Sequence, residues 1–234
     1  MEPRYFVGLD LGQAQDFTAL AVLEWPPPES AEARGEPPVY SVRHLQRFPL
    51  GTPYTAIVRE VDRLTAAPPL KGCALVVDST GVGKAVVDLF REAGLPVWLR
   101  SVLITAGHSV NVGDDGTWHV AKKELVSVLQ VLLQNRRLKV AQSLPEAQTL
   151  AQELQNFRVK VTTAGNETFE AWRDRDHDDL VLAVALAAWW AQRMGTPAVV
   201  EAVEVNRDEG VRARLGGLFG TAGGSANRRM WGRS

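Results

Sequence analysis

The sequence is short of cysteine, of long apolar runs and of net charge, and each shortage removes a class of protein. Its single cysteine, Cys73, cannot close an internal disulfide or build a cysteine-based zinc site. The longest apolar run, Leu180 to Trp190, is shorter than the roughly 18 residues a bilayer span requires and reads as a buried helix. A strand-like segment follows the N-terminus almost at once, which leaves no room for a signal peptide, so a cytoplasmic setting and no membrane are expected. The formal net charge is −1, whereas proteins that live on phosphate contacts are usually basic overall. Any nucleic-acid contact must therefore come from local patches, and part of the acidity serves another purpose. What is present is ordinary for a folded chain: 234 residues, 45% hydrophobic and 23% charged, enough for one good core with an extension.

Patterning predicts an α/β fold. Arg4–Leu11 reads as a buried strand, Gly12–Asp16 as a turn, and Phe17–Trp25 as a second strand in a hairpin with the first. Five prolines make Pro26–Pro38 a loop, and the alternation of Val39–Phe48 supplies the third strand of a meander. Apolar spacing predicts a helix over Thr55–Ala67, a fully buried strand over Cys73–Asp78, and a helix over Gly83–Ala93 that stops at Gly94. A strand over Val97–Thr105 and a Gly107–His119 hairpin, tipped by Gly-Asp-Asp-Gly, come next. Helices are expected over Lys122–Asn135 and Leu144–Asn156, a strand over Phe157–Thr162, and a last buried helix over Asp178–Arg193. The order implies a mixed sheet, with a three-strand antiparallel meander plus parallel strands and helices on both faces. Residues 1–195 would form the domain. Residues 196–234 read as a flexible tail, with seven glycines, five arginines and no acidic residue from Gly210 onward.

Three acidic positions stand out by their setting. Asp10 lies within an apolar strand, Asp78 ends another, and Asp178 and Asp179 open a buried helix. Carboxylates are costly to bury without a partner, and groups from three separate elements can be compensated by a shared cation. Magnesium or manganese suits all-oxygen donors, and two such ions can drive in-line phosphodiester hydrolysis without a covalent nucleophile. Each position also has a plainer reading: Asp10 as a strand end, Asp78 as a turn former, Asp178 as a helix cap. The combination favours the cation.

The segments Gly8-Leu9-Asp10-Leu11-Gly12, Val76-Val77-Asp78-Ser79-Thr80-Gly81-Val82-Gly83 and His177-Asp178-Asp179-Leu180-Val181-Leu182-Ala183 resemble, in order and spacing, the three acidic motifs of phage terminase large-subunit nuclease domains. The resemblance covers roughly residues 4–193. It implies an RNase H-like, RuvC-like fold and an endonuclease that cuts duplex DNA with little sequence preference, using two Mg2+ or Mn2+ ions. Asp10 would bridge both ions, Asp78 would bind one, and Asp179 or Asp178 the other. His177 would be a further ligand or a polar neighbour of the helix start. The implied partners are double-stranded DNA, a packaging ATPase, a small terminase subunit and a portal, in the host cytoplasm. Full large subunits carry an N-terminal ATPase ahead of the nuclease, whereas this chain opens on the first nuclease strand.

For DNA contacts, Arg173 and Arg175 just before the His-Asp-Asp are the expected pair, with Lys122 and Lys123 after the hairpin. Lys84 is either a solvated helix lysine or a phosphate contact. Gly81-Val82-Gly83-Lys84 imitates a phosphate-binding loop, but Asp78 stands where the first glycine belongs and Ala85 where Ser or Thr would hold magnesium. Trp189-Trp190 reads as core. Alternative readings are a Holliday-junction resolvase with the same metal site, an ATPase lobe of the Hsp70 and sugar-kinase kind, and a non-catalytic docking domain. The ATPase superfamily needs two lobes where this chain has room for one.

Overall fold

The computed structural model describes residues 4–12, 16–26, 37–107, 109–163 and 178–195, with backbone alone for 157–163. Strands β1 (Tyr5–Asp10), β2 (Ala19–Glu24) and β3 (Tyr40–Arg47) form the antiparallel meander. Helix α1 (Tyr54–Ala66), strand β4 (Ala74–Asp78), helix α2 (Gly83–Ala93) and strand β5 (Trp98–Thr105) follow. Then come β6 (Val110–Val112), β7 (Trp118–Ala121), α3 (Lys122–Gln134), β8 (Leu138–Val140), α4 (Ala147–Thr163) and α5 (Asp179–Gly195). The eight strands make one sheet in the order β6-β7-β5-β4-β1-β2-β3-β8. β4 lies parallel to both β1 and β5, and β7 parallel to β5, so the mixed RNase H-like sheet expected from the motifs is present.

Strand alternation sorts the core into two layers. On one face Phe6, Ala19, Ala21, Leu23, Ala74 and Val76 pack with α3, α4 and α5. On the other, Val7, Leu9, Leu20, Val22, Leu75 and Val77 pack with Ile57, Val58 and Val61 of α1 and Val86, Val87 and Phe90 of α2. Two-sided burial is why β4 is apolar at every position before Asp78. Cys73 lies in the second layer, and burial pushes its thiol up to about 12, which leaves it inert at neutral pH.

Helix α5 lies against the middle of the sheet and beneath α3 and α4, so every residue from Leu180 to Ala191 is buried. That position is why it is apolar all round. It sits unusually close to β1: a Cβ on Gly8 would stand 1.9 Å from the Ala183 carbonyl oxygen and 3.0 Å from the Ala187 nitrogen. Only glycine admits this contact. The Trp pair of α5 is core, as expected, and Trp118 meets both rings edge-on at 5.7 and 5.5 Å.

Two expectations fail. Phe157–Thr162 continues α4 instead of forming a strand. Its Val-Lys-Val alternation suggests a strand, but no glycine or proline separates it from the helix before it, and Asn156 alone does not break that helix. The remaining strand is β8, which follows a left-handed residue at Arg136 (φ 55°) and pairs in parallel with β3. Helix α4 also starts at Ala147, past the Ser143–Pro145 signal, because Leu144 and Pro145 are spent in a turn closed from the Ala147 N–H to the Leu144 carbonyl. Gly94 stops α2 as expected, at φ 62° with its N–H on the Arg91 carbonyl. The Gly107–His119 hairpin is present as β6–β7. Its tip reaches α2, where Lys84 lies 3.9 Å from Asp115 and both are exposed.

Candidate metal centre

The fold gathers the acidic positions at one end of the sheet. β1 and β4 are parallel neighbours, paired up to Leu9 with Val77, so the next residues, Asp10 and Asp78, end side by side. Both follow the alternation onto the α5 face. Helix α5 supplies the third group. Ala183, which touches Gly8, is four residues into the helix from Asp179, about 6 Å of rise. Asp10 is two residues beyond Gly8, also about 6 to 7 Å. The start of α5 is thus level with Asp10. Asp10, Asp78 and Asp179 are all buried, between 5% and 8% exposed.

The electrostatics agree with this placement. Burial, and then the like charges of Asp78, Asp179 and Asp178 in that order, push the Asp10 carboxyl well above the ordinary carboxylate range, and Lys122 opposes them. Asp179 acts on Asp10 more strongly than Asp178 does.

Each remaining carboxylate is held by a neighbour. Asp78 accepts from both the backbone N–H and the hydroxyl of Thr80, which ties it into the loop before α2. The Thr80 hydroxyl oxygen also accepts the Ile104 N–H at 3.0 Å, anchoring that loop to β5. Gly83 completes the loop, since a Cβ there would lie 2.2 Å from the Asp78 carbonyl oxygen. That explains the glycine without any phosphate. Asp178 takes the Lys122 ammonium at 3.1 Å, and Asp179 takes the Arg47 guanidinium at 3.1 Å. Arg47 in turn lies 3.9 Å over the Phe17 ring. Among the described residues, no three His, Cys, Asp or Glu side chains close on a single point. The side chains gathered around Asp10 are all carboxylates, and oxygen donors are what a hard divalent cation takes.

The loop after Asp10 is equally built. Gly12 donates its N–H to the Thr18 hydroxyl at 3.1 Å and accepts the Tyr54 hydroxyl from α1 at 3.0 Å. A Cβ on Gly12 would meet the Asp16 carbonyl oxygen at 2.2 Å. Both glycines of the Gly-x-Asp-x-Gly segment thus hold the strand end where Asp10 sits.

Of the cationic candidates, Lys122 points into the acidic cluster, whereas Lys123 and Lys84 are exposed. His177, Arg173, Arg175 and the segment 196–234 lie outside the described residues. Sequence reasoning missed Arg47, Thr80 and Glu153. Glu153, on α4, is 5% exposed and its Oε2 accepts the N–H groups of Leu180 and Val181 at 3.0 and 3.1 Å. Burial pushes its carboxyl up to about 7, with Asp179 adding and the Val181 N–H, Arg47 and the Leu180 N–H opposing. A signal was there. Glu153 follows Leu150 at helical spacing and precedes Leu154, a charge inside an apolar stripe, and Arg47 follows Leu45 on the inward face of β3.

Fold and cluster together define the chain as an RNase H-like domain with acidic side chains gathered where β1, β4 and α5 meet. No family model matches the chain. It is similar to the terminase large subunit of Thermus phage G20c, with 29% identity over 189 residues, 78% of this chain and 31% of that protein. The chain therefore spans about a third of the length of that relative. Among solved structures, it resembles the large terminase nuclease of thermophilic phage G20c, with 23% identity, 78% of this chain, 80% of that chain and a TM-score of 0.48. It also resembles the large terminase nuclease domain of bacteriophage SPP1 with bound Mn, with 10% identity, 79% of this chain, 84% of that chain and a TM-score of 0.43. The similarity to that terminase large subunit covers 78% of the chain, beyond the three short motifs.

Proposed function

We propose that this chain is the nuclease part of a phage terminase large subunit, a divalent-metal-dependent endonuclease that cuts double-stranded DNA during genome packaging. One observation carries the reading: Asp10, Asp78 and the Asp178–Asp179 pair, far apart in sequence, converge at one end of the sheet, where burial and then the charges of the other three raise the Asp10 carboxyl. The similarity to a terminase large subunit over 78% of the chain supports it.

Asp10 would share two Mg2+ or Mn2+ ions, with Asp78 on one and Asp179, the stronger of the helix pair in its action on Asp10, on the other; Asp178 and His177 would assist. Ions held there would supply Lewis-acid activation of a water and charge stabilisation for the leaving oxygen of the phosphodiester. The chain's own residues supply position. The loop Asp78–Gly83 fixes one carboxylate, the close seat of α5 on Gly8 fixes the helix pair, and Lys122 and Arg47 hold the outer carboxylate heads. The helix N-terminus adds its own partial positive charge beside them.

DNA would be met by Arg173 and Arg175 before the helix, by the exposed Lys123 and Lys84, and by the arginine-rich segment 196–234 as a tail separate from the domain 1–195. Cutting would carry little base preference, the site being chosen by the packaging ATPase, small subunit and portal in the host cytoplasm. No described helix is long and apolar enough to cross a membrane. The test is supercoiled plasmid incubated with Mg2+, Mn2+, Ca2+ or EDTA. The reading requires cleavage with Mg2+ or Mn2+ alone, lost in Asp10→Ala and in Asp78→Ala. Cleavage that survives either substitution assigns the chemistry elsewhere.

A further inference from the structure

Helix α5 has a capping problem, and its solution involves a residue outside the acidic cluster. The first N–H groups of a helix need acceptors, and the residue at the N-cap normally supplies one from its own side chain to the second or third N–H. Asp178 occupies that place: its carbonyl accepts the Leu182 N–H at 2.9 Å, the first bond of the helix. Aspartate is among the best capping residues, so the local sequence favours an Asp178 carboxylate turned back onto the Leu180 and Val181 amides. Those amides are instead taken by Glu153 Oε2, from α4, at 3.0 and 3.1 Å. The Asp178 carboxylate faces Lys122 and bears on Asp10, while Asp179 faces Arg47.

We infer that Glu153 is a positioning residue for the acidic centre: it supplies from a neighbouring helix the cap that α5 would otherwise draw from Asp178, and so leaves both aspartates to the cluster. The inference rests on the metal-centre reading above. Position supports it twice over. Glu153 is 95% buried by the complement of its 5% exposure, so it is held in place, and its second oxygen, Oε1, has no hydrogen-bond partner among the described residues. A buried carboxylate with an unsatisfied oxygen is a poor choice for stability alone. It also couples α4 to the start of α5, so that the two aspartates are fixed in angle as well as in depth.

The experiment uses the full chain with Glu153→Ala and Glu153→Gln, and two readouts. The first is amide exchange of Leu180 and Val181 in EDTA. The second is Mn2+ affinity measured by electron paramagnetic resonance, alongside DNA cleavage. Residues that orient metal ligands typically cost about 10- to 100-fold in metal affinity when removed, and Glu153→Ala is expected to fall in that range and to lose protection at both amides. Glutamine keeps one carbonyl oxygen able to accept both N–H bonds, and Glu153→Gln is expected to restore protection and to bring affinity within about threefold of wild type. Gly94→Ala, a strained substitution at the far end of α2, serves as the destabilised control and should leave Mn2+ affinity unchanged.

An alanine variant that binds Mn2+ as tightly as wild type overturns the inference, and so does a glutamine variant as weak as alanine, which would point to charge and not to capping. If Glu153→Ala does not fold, Glu153→Gln decides alone on the same two measurements. If the wild-type chain binds no Mn2+, the metal reading itself fails, while amide exchange still reports whether Glu153 caps α5.

Discussion

Replacing Gly8 with alanine should separate the two halves of the acidic centre without removing any carboxylate. A methyl group at Gly8 would stand 1.9 Å from the Ala183 carbonyl oxygen, 2.9 Å from the Ala183 carbonyl carbon and 3.0 Å from the Ala187 nitrogen. All three are backbone atoms of α5, so no side chain can swing aside. A carbon and an oxygen in ordinary contact lie about 3.3 Å apart, which means α5 must retreat from β1 by about 1.4 Å. Overpacking of a tight core costs about 1–3 kcal/mol, and a rigid obstacle belongs at the upper end, about 3 kcal/mol. For a domain of this size that lowers Tm by about 6–12 °C. The same retreat moves Asp178 and Asp179 away from Asp10 and Asp78, and a misplacement of about 1 Å at a reacting centre costs on the order of 100-fold in rate. The assay pairs thermal unfolding with plasmid cleavage at a temperature well below the lowered Tm. A variant with wild-type Tm and wild-type cleavage would refute the close seat of α5 on β1 and with it the positioning argument.

Three further outcomes follow from the same contacts. Arg47→Ala leaves the buried Asp179 without its guanidinium and removes the stack on Phe17, so unfolding in EDTA should become easier by about 3 kcal/mol, with part of the loss recovered in Mn2+; equal stability in EDTA would show that the pair contributes nothing. Gly94→Ala forces a side chain into φ 62° with open space around it, a strain of about 1 kcal/mol that should lower Tm slightly and leave cleavage intact. Asp10→Asn tests the pH dependence. The folded Asp10 carboxyl is raised above its unfolded value, so the folded state keeps the proton longer and loses stability as pH rises from the unfolded value through the folded one. The neutral variant should therefore be more stable than wild type at pH 7 without metal, with the gain shrinking as pH falls toward about 4. A gain that is constant across that range would mean that the charge of Asp10 is not what is opposed.

Much of this architecture is legible in the sequence because the physics is local. β1, β2 and β4 declare themselves by apolar runs with no alternative use, and α5 by an unbroken apolar segment too short for a membrane. Asp10, Asp78 and the Asp178–Asp179 pair are visible because charge at the end of a buried element is conspicuous. The misses come from non-local effects. β8 is three residues long and exists through its pairing with β3, which no window over Leu138–Val140 contains. The end of α4 was misread because Val159 and Val161 favour strands by intrinsic preference while the preceding helix simply continues. Glu153 acts across 27 and 28 residues of sequence on Leu180 and Val181, and Arg47 across 132 on Asp179, and only the packing of α4, β3 and α5 brings them there. Asp178 is a lesson in the other direction: its plain reading as a helix cap fits the position and fails on the side chain, because Glu153 has taken the role.

The central claim is that these carboxylates are gathered for divalent cations, and the most direct measurement is the unfolding temperature of wild type and Asp10→Asn, each in EDTA and in saturating Mn2+. The account predicts a crossing. In EDTA the variant melts higher, because a carboxylate opposed first by burial and then by its acidic neighbours is gone. In Mn2+ at about 100 times its dissociation constant the wild type gains about 2.7 kcal/mol by mass action, and the variant gains little, so the order reverses. Parallel shifts in the two proteins, or no shift in either, would contradict the claim and return the acidic cluster to a structural role.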